Sequence, residues 1–155
     1  MGTEIERKFL VTDGWKKMKA ASIKSMYQFY VVNTPEKAVR VRIVGDDAIL
    51  TIKGEGNGIT RPEFEWPIPK DDAIAMMMLS SGETIQKVRH CIPVRDHVWE
   101  VDVFGGDNEG LVVAEIELKS EDDYFISPDW VGEEVSSNLK YLNAKLITHP
   151  YKDWK

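Results

Sequence analysis

Glu4-Ile5-Glu6-Arg7-Lys8-Phe9-Leu10-Val11, near the N-terminus, has the alternation of a β-strand with one polar face. Side chains of a strand point alternately to opposite faces, so Glu4, Glu6 and Lys8 share one face. Two carboxylates at this spacing lie only about 6–7 Å apart, and they repel each other. Hard oxygen ligands of this kind suit a divalent cation. The stretch therefore predicts a strand that forms part of a cation-binding surface.

The same alternation recurs in later segments and sorts most of the charges by strand. Acidic residues are paired with acidic residues two positions apart, and basic residues with basic ones. The pairs are Arg40 and Arg42, Glu63 and Glu65, Lys87 and Arg89, Glu100 and Asp102, and Glu115 and Glu117, while Lys53 is in phase with Thr51.

Apolar periodicity and turn residues divide the chain into eight strands and a few short helices. The predicted strands cover residues 4–11, 26–32, 38–44, 48–53, 59–68, 83–94, 98–104 and 111–119. Helices are predicted over 15–21, 70–80 and 139–146, with a short helical piece between 121 and 128 and a methionine cluster at 76–78 that packs in the core.

The composition is that of a globular domain. Apolar residues make up 43% and charged residues 30% of the 155 residues, which fits a single domain over 1–155 with its own core. A net charge of -6 argues against non-specific binding of nucleic acid. The lone Cys91 rules out an internal disulfide, and no apolar run approaches the roughly 20 residues of a membrane helix. With no signal-peptide pattern before Glu4, we expect a cytoplasmic protein that binds neither nucleic acid nor membrane.

Two arrangements would account for the charged faces. An antiparallel sheet commonly exposes one polar face to water, and for any single strand that explanation is sufficient. Across eight strands it weakens, because like-sign neighbours cost roughly a few tenths of a kcal/mol and an ordinary surface mixes its charges. Ligands that neutralise both sets, cations for the carboxylates and a polyanion for the basic residues, explain the segregation better. A closed barrel allows this, because it can line an interior with one face of every strand. We therefore predict an α+β fold, a closed eight-stranded antiparallel β-barrel (tunnel) with a charged interior, whose outward apolar faces are covered by the helices at 15–21 and 70–80.

With these motifs in this order, the chain resembles the CYTH, or triphosphate tunnel metalloenzyme, superfamily. Glu4-x-Glu6-x-Lys8 is similar to the ExExK signature of that family. The signature alone is weak evidence in a charged protein, but the basic and acidic pairs that come after it are also in the family's order, over nearly the whole chain. The resemblance implies a tunnel of eight antiparallel strands that binds a triphosphate and a divalent metal.

The resemblance also implies roles for individual residues. The first and last strands become neighbours when a barrel closes, so Glu4 and Glu6 would join Glu115 and Glu117 as metal ligands. The expected triphosphate ligands are Lys8, Arg40, Arg42, Lys53, Lys87 and Arg89. The expected catalytic residues are Glu4, Glu6, Lys8, Glu63, Glu65 and Asp102.

Three roles stay open for the remaining acidic positions: binding of a second metal, orientation of water, or holding of the basic residues. These positions are Glu63, Glu65, Glu100 and Asp102. Residues 139–146 resemble the C-terminal helix that plugs the tunnel in short bacterial members. Those members often carry arginine where Lys140 stands and serine where Ala144 stands, which leaves the plug's share of the substrate contacts open.

The function that the resemblance implies is metal-dependent hydrolysis of tripolyphosphate to pyrophosphate and phosphate. The chain is short, which leaves little room for a nucleoside or thiamine pocket. Carboxylate ligands without a Cys/His cluster favour Mg²⁺ or Mn²⁺ over zinc. The alternatives are a class IV adenylyl cyclase or a thiamine or nucleoside triphosphatase on the same scaffold, and a non-catalytic polyphosphate-binding module. The ligand would be an inorganic or organic triphosphate, and the oligomeric state stays open, with a homodimer as one option.

Overall fold

The chain forms a closed antiparallel barrel of eight strands, with a ninth strand paired to it. The computed structural model describes residues 2–154. The strands are β1 (Gly2–Val11), β2 (Ser22–Asn33), β3 (Lys37–Val44), β4 (Asp47–Gly54), β5 (Thr60–Ile68), β6 (Ile85–Val94), β7 (His97–Phe104), β8 (Val112–Glu117) and β9 (Val131–Glu134). Around the barrel the order is β1-β5-β4-β3-β2-β6-β7-β8 and back to β1. The predicted closed eight-stranded barrel is therefore confirmed.

The barrel closes at β1, whose two edges have different partners. One edge pairs with β8, where Lys8 lies opposite Glu115. The other edge pairs first with β5, where Glu4 lies opposite Arg61, and further along with β9. The first and last strands of the barrel are thus neighbours, as predicted, and the polar residues of β1 lie at the seam between β8 and β5.

The strand boundaries agree with the sequence prediction to within two residues, with one exception. β2 begins at Ser22 rather than at Met26. Its first four residues pair with β6, but their mostly polar sequence lacks the apolar pattern that marks the rest of the strand. β9 was not predicted at all, because four residues with two glutamates are too short and too polar to stand out without their partner β1.

Apolar side chains face outward from the barrel and are covered by other parts of the chain. Over β7 and β8, Trp99 and Ile116 are fully buried. Trp15 and Trp130 pack onto them, and the ring centres of Trp99 and Trp130 are 5.8 Å apart. These aromatic residues stabilise the barrel by removing its apolar outer surface from water.

Two helix predictions in this covering layer are wrong. Residues 15–21 contribute only to a 3-10 turn, Asp13–Lys17, which ends where Met18 becomes extended. Residues 121–128 contain no helix. Their chain instead runs across the outer face of the barrel, where the Trp99 indole donates a hydrogen bond to the Ile126 carbonyl at 3.2 Å. Packing onto this wall decides the conformation there, and the local sequence does not reveal it.

A second outer cluster lies beneath the helix α1 (Lys70–Met76). Ala73 is fully buried against the outer faces of β3 and β4. The predicted helix is shorter than expected, because Met77–Leu79 form a 3-10 turn. The prediction that the methionine cluster packs in the core is wrong for Met78, which is 86% exposed. Within residues 2–154, no helix combines the length and the apolar composition needed to cross a membrane.

The C-terminal segment packs into one end of the barrel as the predicted plug. The helix expected over 139–146 is interrupted at Leu142, which has extended backbone. After Leu142 the chain forms a single helical turn, α2 (Asn143–Leu146). Leu146 and Ile147 are buried with residues from β2 and β6. This apolar contact anchors the segment and brings its polar first residue, Asn143, to the barrel interior.

Candidate active site

The barrel encloses a cavity of about 260 Å³, which the polar faces of the strands line. Seven acidic and seven basic side chains take part in this lining, so its formal charge is balanced. Charges point inward and apolar residues outward, which is the predicted inversion of an ordinary barrel. The predicted site residues that line the cavity are Glu4, Glu6, Lys8, Arg40, Arg42, Lys53, Glu63, Glu65, Lys87, Arg89, Glu100, Glu115 and Glu117.

Asp102 lies behind this lining and is only 1% exposed. Its Oδ1 accepts a hydrogen bond from Arg89 Nε at 2.8 Å, and its Oδ2 accepts one from Lys87 Nζ at 2.8 Å. Burial alone would raise the pKa of Asp102, but Lys87 and Arg89 hold it below its usual value. Of the roles that the sequence left open, the geometry favours holding of the basic residues for this position.

The lining is internally ion-paired, because strands of opposite charge are neighbours in much of the barrel. Lys53 lies opposite Glu63, and Lys8 lies opposite Glu115. From the sequence, segregated charges were expected to need external ligands to neutralise them. For these residues that expectation is wrong, since the spatial order of the strands places opposite signs side by side.

Glu115 is held by two cations. Lys8 Nζ donates to its Oε2, and Arg89 Nη2 donates to its Oε1 at 3.0 Å. Burial would raise the pKa of Glu115, but Lys8 and Arg89 hold it well below its usual range. Lys8 Nζ also lies 3.7 Å from Glu6. A single ammonium group therefore bridges two of the carboxylates that were predicted to bind metal.

Other carboxylates carry negative charge that their neighbours compensate less well. Burial raises the pKa of Glu6 to about 7, with a further contribution from Glu115. Burial likewise raises the pKa of Glu100 to about 7 and raises the pKa values of Glu4 and Glu117. The register contributes to the raised pKa of Glu100, which lies opposite Glu115. A divalent cation among these oxygens would relieve the repulsion.

Lysines lie between the carboxylates where the predicted metal would bind. Lys53 Nζ is 3.1 Å and 3.3 Å from the two oxygens of Glu4 and 3.4 Å from Glu63. Among residues 2–154, no three His, Cys, Asp or Glu side chains are grouped closely enough to hold a metal ion directly. The donor set still suits a hard divalent cation, since all of it is carboxylate oxygen and an ammonium group already bridges Glu4 and Glu63.

Arg40 belongs to a short chain of polar contacts. Its Nη2 donates to Thr51 Oγ1 at 3.1 Å, and Thr51 Oγ1 donates to Glu65 Oε2 at 2.8 Å. The side chain of Glu65 is 40% exposed. Arg40 Nε is buried and has no hydrogen-bond partner among the described residues. A buried donor without a partner is costly, so a movement of the side chain that gave it an acceptor would be favourable.

Arg42 differs from the other buried cations because the hydrogen bond it donates goes to a neutral group. Its Nε donates to Gln28 Oε1 at 2.9 Å. Gln28 is fully buried, and its Nε2 donates to Asn143 Oδ1 at 2.8 Å. Lys87 Nζ donates to the same oxygen at 2.8 Å. Burial lowers the pKa of Arg42 to about 10 and that of Lys87 to about 7.

The two plug departures noted in the sequence have different consequences. Lys140 Nζ lies 4.4 Å from the centre of a Trp154 ring, and the lysine is not part of the cavity lining. Ala144 lines the cavity together with Leu142 and Asn143. The plug therefore contributes one amide and some apolar surface to the site, and no basic side chain.

Sequence reasoning missed several residues of the site. A signal existed for Gln28, the one strongly polar residue between the aromatic residues of its strand, and for Arg61, which is in phase with the acidic pair after it. Asn143 and Ser136 also line the cavity. They lie in the C-terminal segment, whose path across the barrel end depends on tertiary packing.

A closed barrel with this charged interior defines a tunnel-type domain. The family model for the CYTH domain matches residues 2–151. The chain therefore belongs to the CYTH domain family.

Named relatives are similar over nearly their whole length. An inorganic triphosphatase from Acetivibrio thermocellus is 43% identical, over 100% of this chain and 99% of the relative. An inorganic triphosphatase from Nitrosomonas europaea is 34% identical, over 93% of this chain and 96% of the relative. The crystal structure of an inorganic triphosphatase has a TM-score of 0.64 and 33% identity to this chain, and the match covers 95% of each.

Proposed function

We propose that this protein is an inorganic triphosphatase, which hydrolyses tripolyphosphate to pyrophosphate and phosphate with the help of Mg²⁺ or Mn²⁺. The observation that carries the proposal is the cavity lining, where carboxylates that suit a metal and guanidinium and ammonium groups that suit phosphate share one enclosed space. The relatives named inorganic triphosphatase support the same substrate class. The apolar part of the lining is small and offers little surface to a nucleobase or a thiamine ring. It consists of Tyr30, Ala38, Ile59, Leu142 and Ala144.

Glu4, Glu6 and Glu117 are the first candidates to hold the metal, because their raised pKa values reflect burial and negative charge that a cation would relieve. Glu115 would join them once Lys8 moves from its carboxylate to the substrate. A bound divalent cation neutralises charge on phosphate oxygens and lowers the pKa of a coordinated water. The lining contains carboxylates and neither His nor Cys, which favours Mg²⁺ or Mn²⁺.

The basic side chains hold the phosphate chain in this proposal. Arginine suits phosphate because its planar fork can donate two hydrogen bonds to one phosphate, and lysine supplies a compact charge. Arg40 has a buried Nε with no partner among the described residues, and Arg42 carries a charge that its amide partner does not cancel. Lys8 and Lys53 would exchange a carboxylate for a phosphate oxygen.

The chemical step requires a water molecule in line with the phosphorus–oxygen bond that breaks. We assign orientation of this water to Glu65 and Glu63, which line the cavity. Thr51 fixes Glu65 by a hydrogen bond, so one of its oxygens is oriented and the side chain is still partly exposed to the cavity. The guanidinium and ammonium groups stabilise the negative charge that develops on the leaving pyrophosphate. Asp102 contributes indirectly by holding Lys87 and Arg89.

The proposal is tested by substrate preference. Purified protein is incubated with tripolyphosphate, ATP or thiamine triphosphate, each with Mg²⁺, Mn²⁺ or EDTA, and release of phosphate and formation of cyclic AMP are measured. We expect phosphate release from tripolyphosphate with a kcat/KM at least about tenfold above that of the organic substrates, and no turnover with EDTA. Preference for an organic triphosphate, formation of cyclic AMP from ATP, or tight binding without turnover would each overturn it.

A further inference from the structure

We propose that Gln28 and Asn143 are positioning residues: their amides orient Arg42 and Lys87 toward the cavity without adding negative charge, and so set the affinity for the phosphate group beside the plug. This inference rests on the proposed function, because it assumes that the anion in the cavity is a phosphate chain.

The geometry is a continuous chain of hydrogen bonds across three strands and the plug. Gln28 on β2 lies directly opposite Arg42 on β3 and accepts from its Nε at 2.9 Å. The amide nitrogen of Gln28 donates to Asn143 at 2.8 Å, and Lys87 on β6 donates to the same Asn143 oxygen at 2.8 Å. One oxygen of the plug thus receives donors from two adjacent strands, β2 and β6.

Both amides are neutral, which distinguishes the partner of Arg42 from the partners of Arg89. Lys87 has one partner of each kind, since its Nζ also donates to Asp102 at 2.8 Å. Arg89 is held by carboxylates, Asp102 and Glu115 among them, at 2.8–3.0 Å. A carboxylate orients a cation but also cancels its charge. An amide oxygen orients the cation equally well and adds no net charge. Arg42 therefore keeps its full positive charge and can direct its remaining N–H groups at a ligand.

Burial fixes the orientation of the two amide groups. A fully buried glutamine must have its polar atoms satisfied, and leaving one unpaired costs more than the hydrogen bond itself contributes. Gln28 uses its oxygen for Arg42 and its nitrogen for Asn143, so neither amide can turn without breaking a contact to a cation or to its partner. Asn143 lies on the plug, and the plug must be in place for this part of the site to be complete.

The test replaces each amide by the carboxylate of the same shape. Gln28→Glu places a negative charge next to Arg42, and Asn143→Asp places a negative charge next to Lys87. For both variants we expect the KM for tripolyphosphate, and its Kd measured by calorimetry without metal, to rise about tenfold or more. We expect kcat to change less than about threefold. The melting temperature should be maintained in Asn143→Asp and should fall in Gln28→Glu, which also loses the donor to Asn143. Gln86→Glu is the matched control, because Gln86 is exposed and adjacent to Lys87 in sequence but does not line the cavity; its KM should equal that of the wild type.

Several outcomes would overturn the inference. An unchanged Kd in Gln28→Glu and Asn143→Asp would show that the amides do not set affinity. If both the melting temperature and kcat fell while KM stayed unchanged, the two amides would have only a structural role. Should either acidic variant fail to fold, Gln28→Met and Asn143→Ala remove the acceptor without adding charge, and a smaller rise in Kd is expected, whereas no rise would contradict the inference. If the wild type binds tripolyphosphate but does not hydrolyse it, the proposed function fails while the binding comparison still decides this inference.

Discussion

Two parts of the tunnel lining carry opposite surpluses of charge. On the carboxylate side, formed by Glu4, Glu6 and Glu117, burial raises the pKa values of the acids. On the plug side an amide holds Arg42, and an amide together with Asp102 holds Lys87; there burial lowers the pKa values of the bases. Each side would be stabilised by an ion of the other sign. A metal-bound triphosphate supplies both a cation and an anion, so the difference indicates what kind of ligand the cavity fits.

A fully paired zone also belongs to the lining. Glu115 takes hydrogen bonds from Lys8 and Arg89, and its pKa lies well below the usual range. This pairing keeps buried charges tolerable. Substitutions on the two surplus sides should therefore have separable effects, which differ in size and in the quantity they change.

The largest effect is expected on the carboxylate side. Glu6→Gln removes a metal ligand of the same shape, so metal-dependent kcat should fall at least about a hundredfold. The Kd for tripolyphosphate without metal should not rise, because the charge that is lost is negative and would repel the anion. We expect it to change by less than about threefold. Phosphate release and calorimetry measure the two quantities. Glu134→Gln, outside the cavity, is the control, and an equal loss of metal-free binding would contradict the division into two sides.

The next effect is expected on the plug side. Arg42→Gln removes a buried cation that no carboxylate holds, so the Kd for tripolyphosphate should rise about 10- to 100-fold. kcat at saturating substrate should change much less than in Glu6→Gln. Lys17→Gln removes one exposed charge far from the cavity and should leave the Kd unchanged. Interchangeable behaviour of the Arg42 and Glu6 variants would break the comparison.

A pH effect should result from Lys87. Burial lowers its pKa to about 7, Arg89 and Arg42 add to this, and Asp102 and Glu115 oppose it. A bound phosphate favours the protonated lysine, so binding takes up a proton between pH 7 and the ordinary lysine value near 10.5. The affinity should therefore decline as pH rises, by about fivefold between pH 7 and 8 if only the protonated form binds.

Calorimetry without metal in two buffers of different ionisation enthalpy reports this proton uptake. Lys87→Arg keeps the charge at all pH values and should abolish the uptake. Persistence of the uptake in Lys87→Arg would assign the titration to another group.

The smallest effect is expected for Arg61, which lines the cavity opposite Glu4 but is partly exposed. Solvent and salt screen such a charge, so Arg61→Gln should raise KM only about two- to threefold. The rise should shrink when salt is increased from about 0.05 M to about 0.5 M. A rise as large as that of Arg42→Gln would show that this exposed cation binds substrate as strongly as the plug side does.

The side of the wall on which each strand residue lies could be predicted from the sequence. A strand has a period of two, so the in-phase charges of β1, β3 and β5 had to share one face, and Glu4, Arg42 and Glu63 all line the cavity. The closure could also be predicted, because the first and last strands of a barrel must meet. The period of two cannot show which side chains of adjacent strands a residue contacts. Asp102 is in phase with Glu100, yet it lies behind the lining because Arg89 and Lys87 hold it there.

Segments whose conformation depends on packing were predicted less well. Residues 121–128 contain no helix, and the Trp99 indole on the outer wall donates a hydrogen bond to their Ile126 carbonyl. The amides of Gln28 and Asn143 are 115 positions apart in sequence and meet only when the plug enters the barrel. Neither a charge pattern nor a hydrophobic period marks such a pair.

The lysine bridges also bear on how the protein would behave in a cell starved of divalent ions. Lys8 bridges Glu6 and Glu115, and Lys53 bridges Glu4 and Glu63, so each of these acids lies beside a cation of the protein itself even where that cation compensates its charge only in part. Under the proposed function, removal of the ion would therefore stop turnover and leave the barrel folded. Metal-free protein would accordingly regain its activity when the ion is restored, with no need to refold.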